Sequence, residues 1–308
     1  MMLEVKNIQF SYSGSEKVLQ NISFSLSPGE VIGIAGKSGS GKTTLLKIIY
    51  GLLDPSSGSV IFKKEKVRGP SLELVPGHPK MKMVAQHFDL LPDHTVKENI
   101  EHRLLSYKKS FREEKAEMLL KLCGIWEQRN QKPATLSGGQ KQLVAISCAL
   151  AEEPELLLLD EPFSHLDHST RNEILRFLAE LKSVLGFSMI FISHDSSDVL
   201  QLSDRVMIMK AGSVERIASP EEIYYHPKND YQAELFGSFN KISKSTYVRP
   251  SAIRICQSHK SKFSGVISAI SFRGELTEYK VKSQGGKVIY FINTQSNFPI
   301  GKKVHLTW

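Results

Sequence analysis

The sequence predicts an α/β fold built on a mixed sheet, with a small β-barrel after it, and three observations carry that prediction. A short apolar run, Val31 to Ala35, meets a glycine-rich loop and then a helical pattern from Thr43 to Tyr50. Strand, loop and helix in that order belong to α/β architecture. Two bare apolar segments, Leu156 to Leu159 and Ser188 to Ser193, stand on either side of an amphipathic stretch from Ser169 to Leu185. Such strands are buried on both faces in parallel sheets. The third observation is a break in charge. Residues 238–308 hold 12 basic and 2 acidic side chains, whereas residues 1–237 hold 28 and 30. A chain of 308 residues fits one large domain and one small one, so we draw the boundary at Gly237.

The elements follow in order. Leu3 to Phe10 alternates polar and apolar residues, and Val18 to Leu26 does so again across a polar loop, which predicts an antiparallel opening. The helix after the glycine-rich loop ends near Gly51. From Val96 to Ala151 the text is helical, with charges spaced around Leu104, Leu119 and Leu122, and we read a helical insertion over about 87–151. Val206 to Met209 and Ser213 to Ile217 form a closing pair around Gly212. Short alternating segments near Ile253, at Gly265 to Ile270, Tyr279 to Val281 and Val288 to Ile292, predict the small barrel.

Composition narrows the function classes. With 41% apolar and 23% charged residues the chain can bury a large core. The longest apolar stretches fall well short of the roughly 18–20 residues that span a bilayer. Glu4 and Lys6 interrupt any apolar signal core, and three scattered cysteines suggest neither a disulfide framework nor a zinc site. Cytosol is the compartment this predicts. The net charge of +8 invites a nucleic-acid reading, but the excess is confined to the last 71 residues.

Chemistry begins at Gly36-Lys37-Ser38-Gly39-Ser40-Gly41-Lys42-Thr43-Thr44, which satisfies GxxxxGK[ST] between a predicted strand and a predicted helix. Glycines let backbone N–H groups turn inward as an anion nest, and the helix aims its positive end at the same point. Lys42 is expected to reach the β- and γ-phosphates, and Thr43 to offer its hydroxyl to Mg²⁺. The matching half of such a site is a buried strand ending in acid. Leu156 to Leu159 followed by Asp160 and Glu161 supplies it, with Asp160 as the outer Mg²⁺ partner and Glu161 as the group that polarises the attacking water. His194 closes the next apolar strand and can place an imidazole at the γ-phosphate.

Leu136-Ser137-Gly138-Gly139-Gln140, lying between the phosphate loop and the acidic strand, resembles the signature of the ATP-binding cassette (ABC) ATPases. The order of motifs is similar to that family across residues 3 to about 237. The resemblance implies a P-loop NTPase cassette with an antiparallel β subdomain and a helical subdomain. It places Tyr12 as the adenine-stacking aromatic, Gln86 in the Q-loop as a catalytic and metal-facing residue, and Ser164 to Asp167 as the D-loop, with Asp167 among the nucleotide-facing residues. Ser137, Gly138, Gly139 and Gln140 open a helix and present a second anion cradle. In the resembling family that cradle completes the ATP site of the opposite subunit, so a homodimer around two ATP is implied. Leu143 and Cys148 stand where that family often has arginines, which puts in doubt the salt bridges that brace the signature helix, and His165 replaces a residue that is frequently small.

The segment from Val84 to Ile100 resembles the Q-loop region of bacterial importer ATPases, whose groove receives a permease helix. Ser219 to Gly237 and Val248 to Ile255 resemble the exit segment and opening strand of importer ATPases with a C-terminal OB-like transport-associated domain. These resemblances imply an ATPase subunit peripheral to the cytoplasmic face of the inner membrane, working with transmembrane permease subunits and, indirectly, a solute-binding protein. Polyamine or iron-type cargo is slightly preferred over sugar or oxyanion. The alternative is a soluble cassette ATPase acting on nucleic acid through its basic barrel. The aromatic residues of that region are spaced as core residues rather than as a stacking platform, so nucleic acid is the less favoured partner.

Overall fold

The computed structural model describes residues 1–12, 17–75, 77–85, 89–164, 166–293 and 298–308. Gln86 and His165 therefore lie outside the described residues. The chain divides into two compact units, Met1–Pro220 and Glu221–Trp308, and the charge break at Gly237 falls inside the second. No helix among the described residues is long and apolar enough to cross a membrane.

In chain order the first unit contains β1 (Leu3–Ser11), β2 (Lys17–Leu26), β3 (Val31–Ala35), α1 (Lys42–Tyr50), β4 (Ser57–Phe62), β5 (Glu65–Lys66) and β6 (Met81–Val84). Then come α2 (Val96–His102), α3 (Lys109–Leu122), α4 (Gly138–Ala151), β7 (Leu156–Asp160), α5 (His168–Leu185), β8 (Ser188–Ile192), α6 (Ser196–Leu202), β9 (Arg205–Lys210) and β10 (Ser213–Ala218). The antiparallel opening forms a four-stranded sheet in the order β2-β1-β4-β5. The second sheet runs β10-β9-β3-β8-β7-β6, parallel except for β10, and is the mixed core. Every residue of β3, β7 and β8 is buried, as expected of strands covered on both faces. Leu45, Leu46 and Ile49 of α1 join one core cluster with Ile8 and Leu26 of the first sheet and Leu158 and Ile190 of the second. The two sheets and α1 thus share a core, which fixes the glycine-rich loop between them.

Register decides where the chemistry sits. Ile34 pairs with Ile192, and Asp160 also pairs with Ile192 from the other side of β8. The carboxyl ends of β3, β8 and β7 therefore lie level, at the edge where open α/β sheets bind ligands.

The helical region has its own brace. Asn99, almost fully buried, donates from its amide to the carbonyls of Leu91, His94 and Thr95 and accepts from the Leu91 N–H, which holds residues 91–95 against α2. On α4, the Ser147 hydroxyl donates to Leu143 O at 2.8 Å, and the Cys123 thiol lies 2.7 Å from the same hydroxyl. With the Ser147 proton committed to Leu143, the thiol is the donor of that contact. Leu143 and Cys148 occupy α4 as expected, and the helix is tied to the end of α3 by this neutral pair. Burial pushes the Cys123 and Cys148 thiols up to about 12, so both stay protonated and unreactive at neutral pH.

The second unit begins with α7 (Pro220–Tyr225) and α8 (Asp230–Leu235) and continues through β11 (Asn240–Lys241), β12 (Tyr247–Val248), β13 (Arg254–Ile255), β14 (Phe263–Phe272), β15 (Thr277–Lys282), β16 (Val288–Asn293) and β17 (Lys303–Thr307). Five strands curl into an antiparallel half-barrel of the OB-like kind, in the order β13-β17-β14-β15-β16. Tyr279 and Phe291 stack in its core at 4.9 Å. The side-chain amide of Asn240 exchanges two 2.7 Å hydrogen bonds with the backbone of Tyr290, copying a strand bridge along the free edge of β16; such edges otherwise invite pairing with another chain. Arg249 is buried and donates to the carbonyls of Tyr224, Ala233, Gly237 and Ser238 while stacking on Tyr224. It ties the two helices of this unit to the segment that follows β12. Arg249→Met removes these donors, and hydrogen bonds to a charged group contribute about 1.5–3 kcal/mol each. We expect a loss of at least that size in a Trp126→Phe background, where Trp308 is the remaining tryptophan, measured by urea unfolding followed through its fluorescence.

Candidate functional site

The phosphate loop is shaped by contacts that only glycine tolerates. A Cβ on Gly36 would stand 2.5 Å from Met209 O and 2.7 Å from Ser40 Oγ. At Gly41 (φ +95°) it would stand 2.6 Å from a methyl of Leu19, in the left-handed region that side chains avoid. Gly41 caps α1, so the free N–H groups of the first turn open toward the loop. Lys42 is buried, and its ammonium curls back to donate to Gly36 O at 2.8 Å and Lys37 O at 3.2 Å. Burial pushes its pKa down, while the Glu161 and Asp160 charges pull it back up. Ser40 Oγ is buried and has no hydrogen-bond partner. Ser38 and Gly39 form the exposed tip of the loop.

At the second residue of α1, Thr43 donates its hydroxyl proton to Asp160 Oδ1 at 3.0 Å. Asp160 ends β7 almost fully buried. Burial raises its pKa, against the Thr43 bond, and the Glu161 charge raises it further. Glu161 follows at φ +54°, an uncommon conformation for a side-chain-bearing residue, and such conformations cluster at active sites. Its N–H donates to Ile192 O, and its carbonyl accepts from the N–H and hydroxyl of Ser164. That places Glu161 Oε1 2.6 Å from His194 Nε2. The Glu161 carboxylate is mostly shielded, whereas the His194 ring is half exposed. The sheet edge thus gathers a glycine-rich loop, a lysine, a hydroxyl with a carboxylate, and a carboxylate with an imidazole.

The other expected residues divide into two groups. Thr44 is buried on α1, and Tyr12 lies with its hydroxyl 3.5 Å from Thr44 Oγ1, edge-on to Phe10 and 47% exposed. It belongs to the phosphate-loop side. Ser137 and Gln140 instead form a capping box at the start of α4: the Ser137 hydroxyl accepts from the Gln140 N–H, and the Gln140 amide oxygen accepts from the Ser137 N–H. No hydrogen bond joins residues 137–140 to the phosphate loop among the described residues. Gly138 is open, while a Cβ on Gly139 would lie 2.3 Å from the Thr170 methyl. Asp167 caps α5, accepting from the N–H and hydroxyl groups of Ser169 and Thr170, which hold its carboxyl far below the usual range.

Two features escape a reading of motifs. A cavity of about 530 Å³ runs from Thr43 and Asp160 past Lys47 and Tyr50 to Arg103, Cys148 and Glu152. Beside it in sequence, Leu105, Tyr107, Phe111 and Met118 are exposed, with the rings of Tyr107 and Phe111 stacked at 5.0 Å. The second feature is Arg171, clamped between Asp195 and Asp198. Its signal in the sequence is an arginine one helical turn after Asp167 and two acids just after His194.

Residues 19–164 match the ABC transporter family, and residues 247–308 match the TOBE domain. The spermidine/putrescine import ATP-binding protein PotA of Bacillus cereus is 33% identical over 308 residues, covering 96% of this chain and 93% of that protein. The sulfate/thiosulfate import ATP-binding protein CysA of Pseudomonas syringae is 37% identical over 249 residues, covering 79% and 75%. Among solved structures, cbiO1 of Clostridium perfringens, part of an ABC transporter complex, superposes with a TM-score of 0.66 at 30% identity over 72% of this chain and 90% of that one. A dimeric post-hydrolysis cassette, MJ0796, bound to ADP and Pi, gives 0.64 at 32% identity over 71% and 99%.

The tight approach at Gly139 is open to test. Because Asp167 fixes the Thr170 hydroxyl, the methyl has nowhere to turn, and Gly139→Ala is expected to destabilise the chain by about 1–3 kcal/mol, the usual cost of overpacking. Adding Thr170→Ser, which keeps the hydroxyl and deletes the methyl, is expected to restore most of that loss in urea denaturation.

Proposed function

The chain belongs to the ABC transporter family of ATPases, and from that premise we propose that it is the ATP-hydrolysing subunit of an importer, which closes as a pair of identical chains around two ATP molecules. The observation that carries this reading is the convergence of Lys42, the Thr43–Asp160 bond and the Glu161–His194 pair at one edge of the parallel sheet. The Lys42 ammonium leaves its two carbonyls for the β- and γ-phosphates, which also take the N–H groups of the loop. A hydroxyl and a carboxylate 3.0 Å apart are the hard oxygen donors that Mg²⁺ prefers. Thr43 and Asp160 would hold Mg²⁺ there, and the ion would offset the negative charge of the phosphates. Phosphate and cation oppose the burial effects that push Lys42 down and Asp160 up, so the ligands favour the charged forms of both residues.

Glu161 accepts a proton from, and orients, the attacking water. His194 holds Glu161 on one side and, through its exposed ring, reaches the γ-phosphate. Tyr12 offers its face to adenine. Gln86 takes the remaining metal-facing and catalytic role. Gly138 and Gly139, whose N–H groups stand in the first turn of α4, serve the ATP held by the other copy together with Ser137, since none of the three bonds to the phosphate loop of its own chain among the described residues. Asp167 acts in the same junction by shaping the turn before α5.

The cavity behind Thr43 and Asp160, and the exposed side chains of Leu105, Tyr107, Phe111 and Met118, support docking of a permease helix, and a chain docked in that way is peripheral to the cytoplasmic face of the membrane. A solute-binding protein acts only through that permease. Alignment of the spermidine/putrescine relative over 96% of this chain supports polyamine cargo; an Fe(3+) import relative from Brucella melitensis, 31% identical over 89% of the chain, keeps iron-type cargo beside it. In the second unit Tyr279 and Phe291 are buried as expected of core residues, whereas Phe272 at the end of β14 is exposed against that expectation; one displayed ring is not a stacking platform, which argues against a base-stacking surface.

Replacing Glu161 by Gln keeps the shape of the site and removes its base. The expected result is a drop in ATP turnover on the order of 10²–10⁴-fold, with a dimer that forms on adding ATP and Mg²⁺. Gel filtration showing monomer under those conditions contradicts the proposal.

A further inference from the structure

The first turn of α5 carries a charged side chain that no step above uses. Arg171 lies one turn beyond Asp167, whose carbonyl accepts its N–H at 3.0 Å. Its guanidinium forks across two carboxylates: Nη1 meets Asp195 Oδ2 at 2.7 Å, and Nε and Nη2 meet Asp198 Oδ1 at 2.7 and 2.6 Å. Asp198 is only 1% exposed. Its second oxygen accepts the hydroxyl proton of Ser193, and that same hydroxyl accepts the Asp195 N–H at 3.1 Å. Ser193 and Asp195 are the two neighbours of His194, so the loop carrying the imidazole is held from both sides. A cavity of about 220 Å³ joins this cluster to Glu161, Ser164 and Leu166.

On its other flank the same turn meets the signature helix. The Thr170 methyl fills the space beside Gly139, and Thr170 is the residue before Arg171. An unbroken set of contacts thus runs from Gly139 through Thr170 and Arg171 to Asp198, Ser193, His194 and Glu161. We propose that Arg171 is a positioning residue for ATP hydrolysis, which sets His194 on Glu161 and ties that pair to the signature helix at the junction with the second copy. The proposal rests on the roles given above to Glu161 and His194.

Electrostatics agrees with the geometry. Burial works against the charge of Arg171, and the two carboxylates more than offset it, pushing its pKa up. Against burial, the Arg171 and Ser197 contacts hold Asp195 at about 2. Burial raises Asp198, opposed by Ser193 and Arg171. The forked geometry suits arginine and not lysine, which offers a point charge on a flexible stem. A double-mutant cycle measures the coupling along these contacts.

The experiment is steady-state ATP hydrolysis by the full-length chain, with nucleotide affinity read separately from a fluorescent ATP analogue. Arg171→Met is expected to lower kcat about tenfold or more while analogue affinity stays within about twofold, the signature of an interaction made in the transition state. In a His194→Ala background, Arg171→Met is expected to add less than about a twofold loss, because it acts through the imidazole. Removing one partner of a buried pair is strongly destabilising, so the charge-neutral Arg171→Met with Asp198→Asn is the second variant, and it is expected to fold and keep the kcat defect. Arg171→Lys is expected to recover part of it. An equal further loss in the His194→Ala background, or wild-type kcat in the folded neutral pair, overturns the proposal. Wild-type kcat in His194→Ala itself overturns the reading of His194 and this proposal with it; an impaired His194→Ala beside an unimpaired Arg171→Met overturns this proposal alone.

Discussion

Everything at the site depends on three parallel strands ending level. The pairing of Ile34 and Asp160 with Ile192 brings the glycine-rich loop after β3, the acid pair after β7 and the histidine after β8 to one edge. A slip of one residue in either ladder would turn each buried side chain to the opposite face and move Asp160 away from Thr43. That register is held by burial: the strands are apolar on both faces, and α1 shares its core with both sheets. Hydrophobic packing fixes the backbone, and the backbone then sets a 3.0 Å contact between the Thr43 hydroxyl and Asp160.

The signature helix follows a different logic. In its capping box the side chains of Ser137 and Gln140 each accept from the backbone N–H of the other, so the N–H groups of Gly138 and Gly139 are not used by the box. Gly138 is open and Gly139 is pinned by Thr170. The start of α4 is thus braced from two sides, which suits the proposed role as preorganised donors. It shares no hydrogen bond with its own phosphate loop among the described residues, and under the proposed pairing of two copies a single chain holds two different halves of a site. Arg171 then matters as the link between those halves, since the turn that packs on Gly139 also clamps the His194 loop.

Much of this was legible in the sequence, for identifiable reasons. The phosphate loop was legible because close backbone approaches at Gly36 and Gly41 admit no side chain, so the chemistry writes itself as spaced glycines. The acidic strand was legible because double burial demands an unbroken apolar run before Asp160. What stayed hidden is tertiary. The order of residues shows an arginine after Asp167 and two acids after His194, but not that the three meet. Nor does it show that Ser147 and Cys123 brace α4 where arginines were missed. The basic excess was legible as a number but not as a place. Lys280, Lys282 and Lys303 lie on strands of the half-barrel, away from the phosphate loop in sequence and in unit, so the net charge of the chain says little about how it holds ATP.

The central claim is that the phosphate loop of one copy and the signature of another make one site, and cross-linking tests it most directly. Buried Cys123 and Cys148 stay silent, and half-buried Cys256 is replaced by Ser. A chain carrying Ser38→Cys is mixed with one carrying Ser137→Cys, both with Glu161→Gln, and treated with a short thiol cross-linker. The account predicts a mixed cross-linked dimer that forms when ATP is added and is weak without it. Absence of that dimer with ATP, together with a cross-link inside single chains that carry both cysteines, would contradict it.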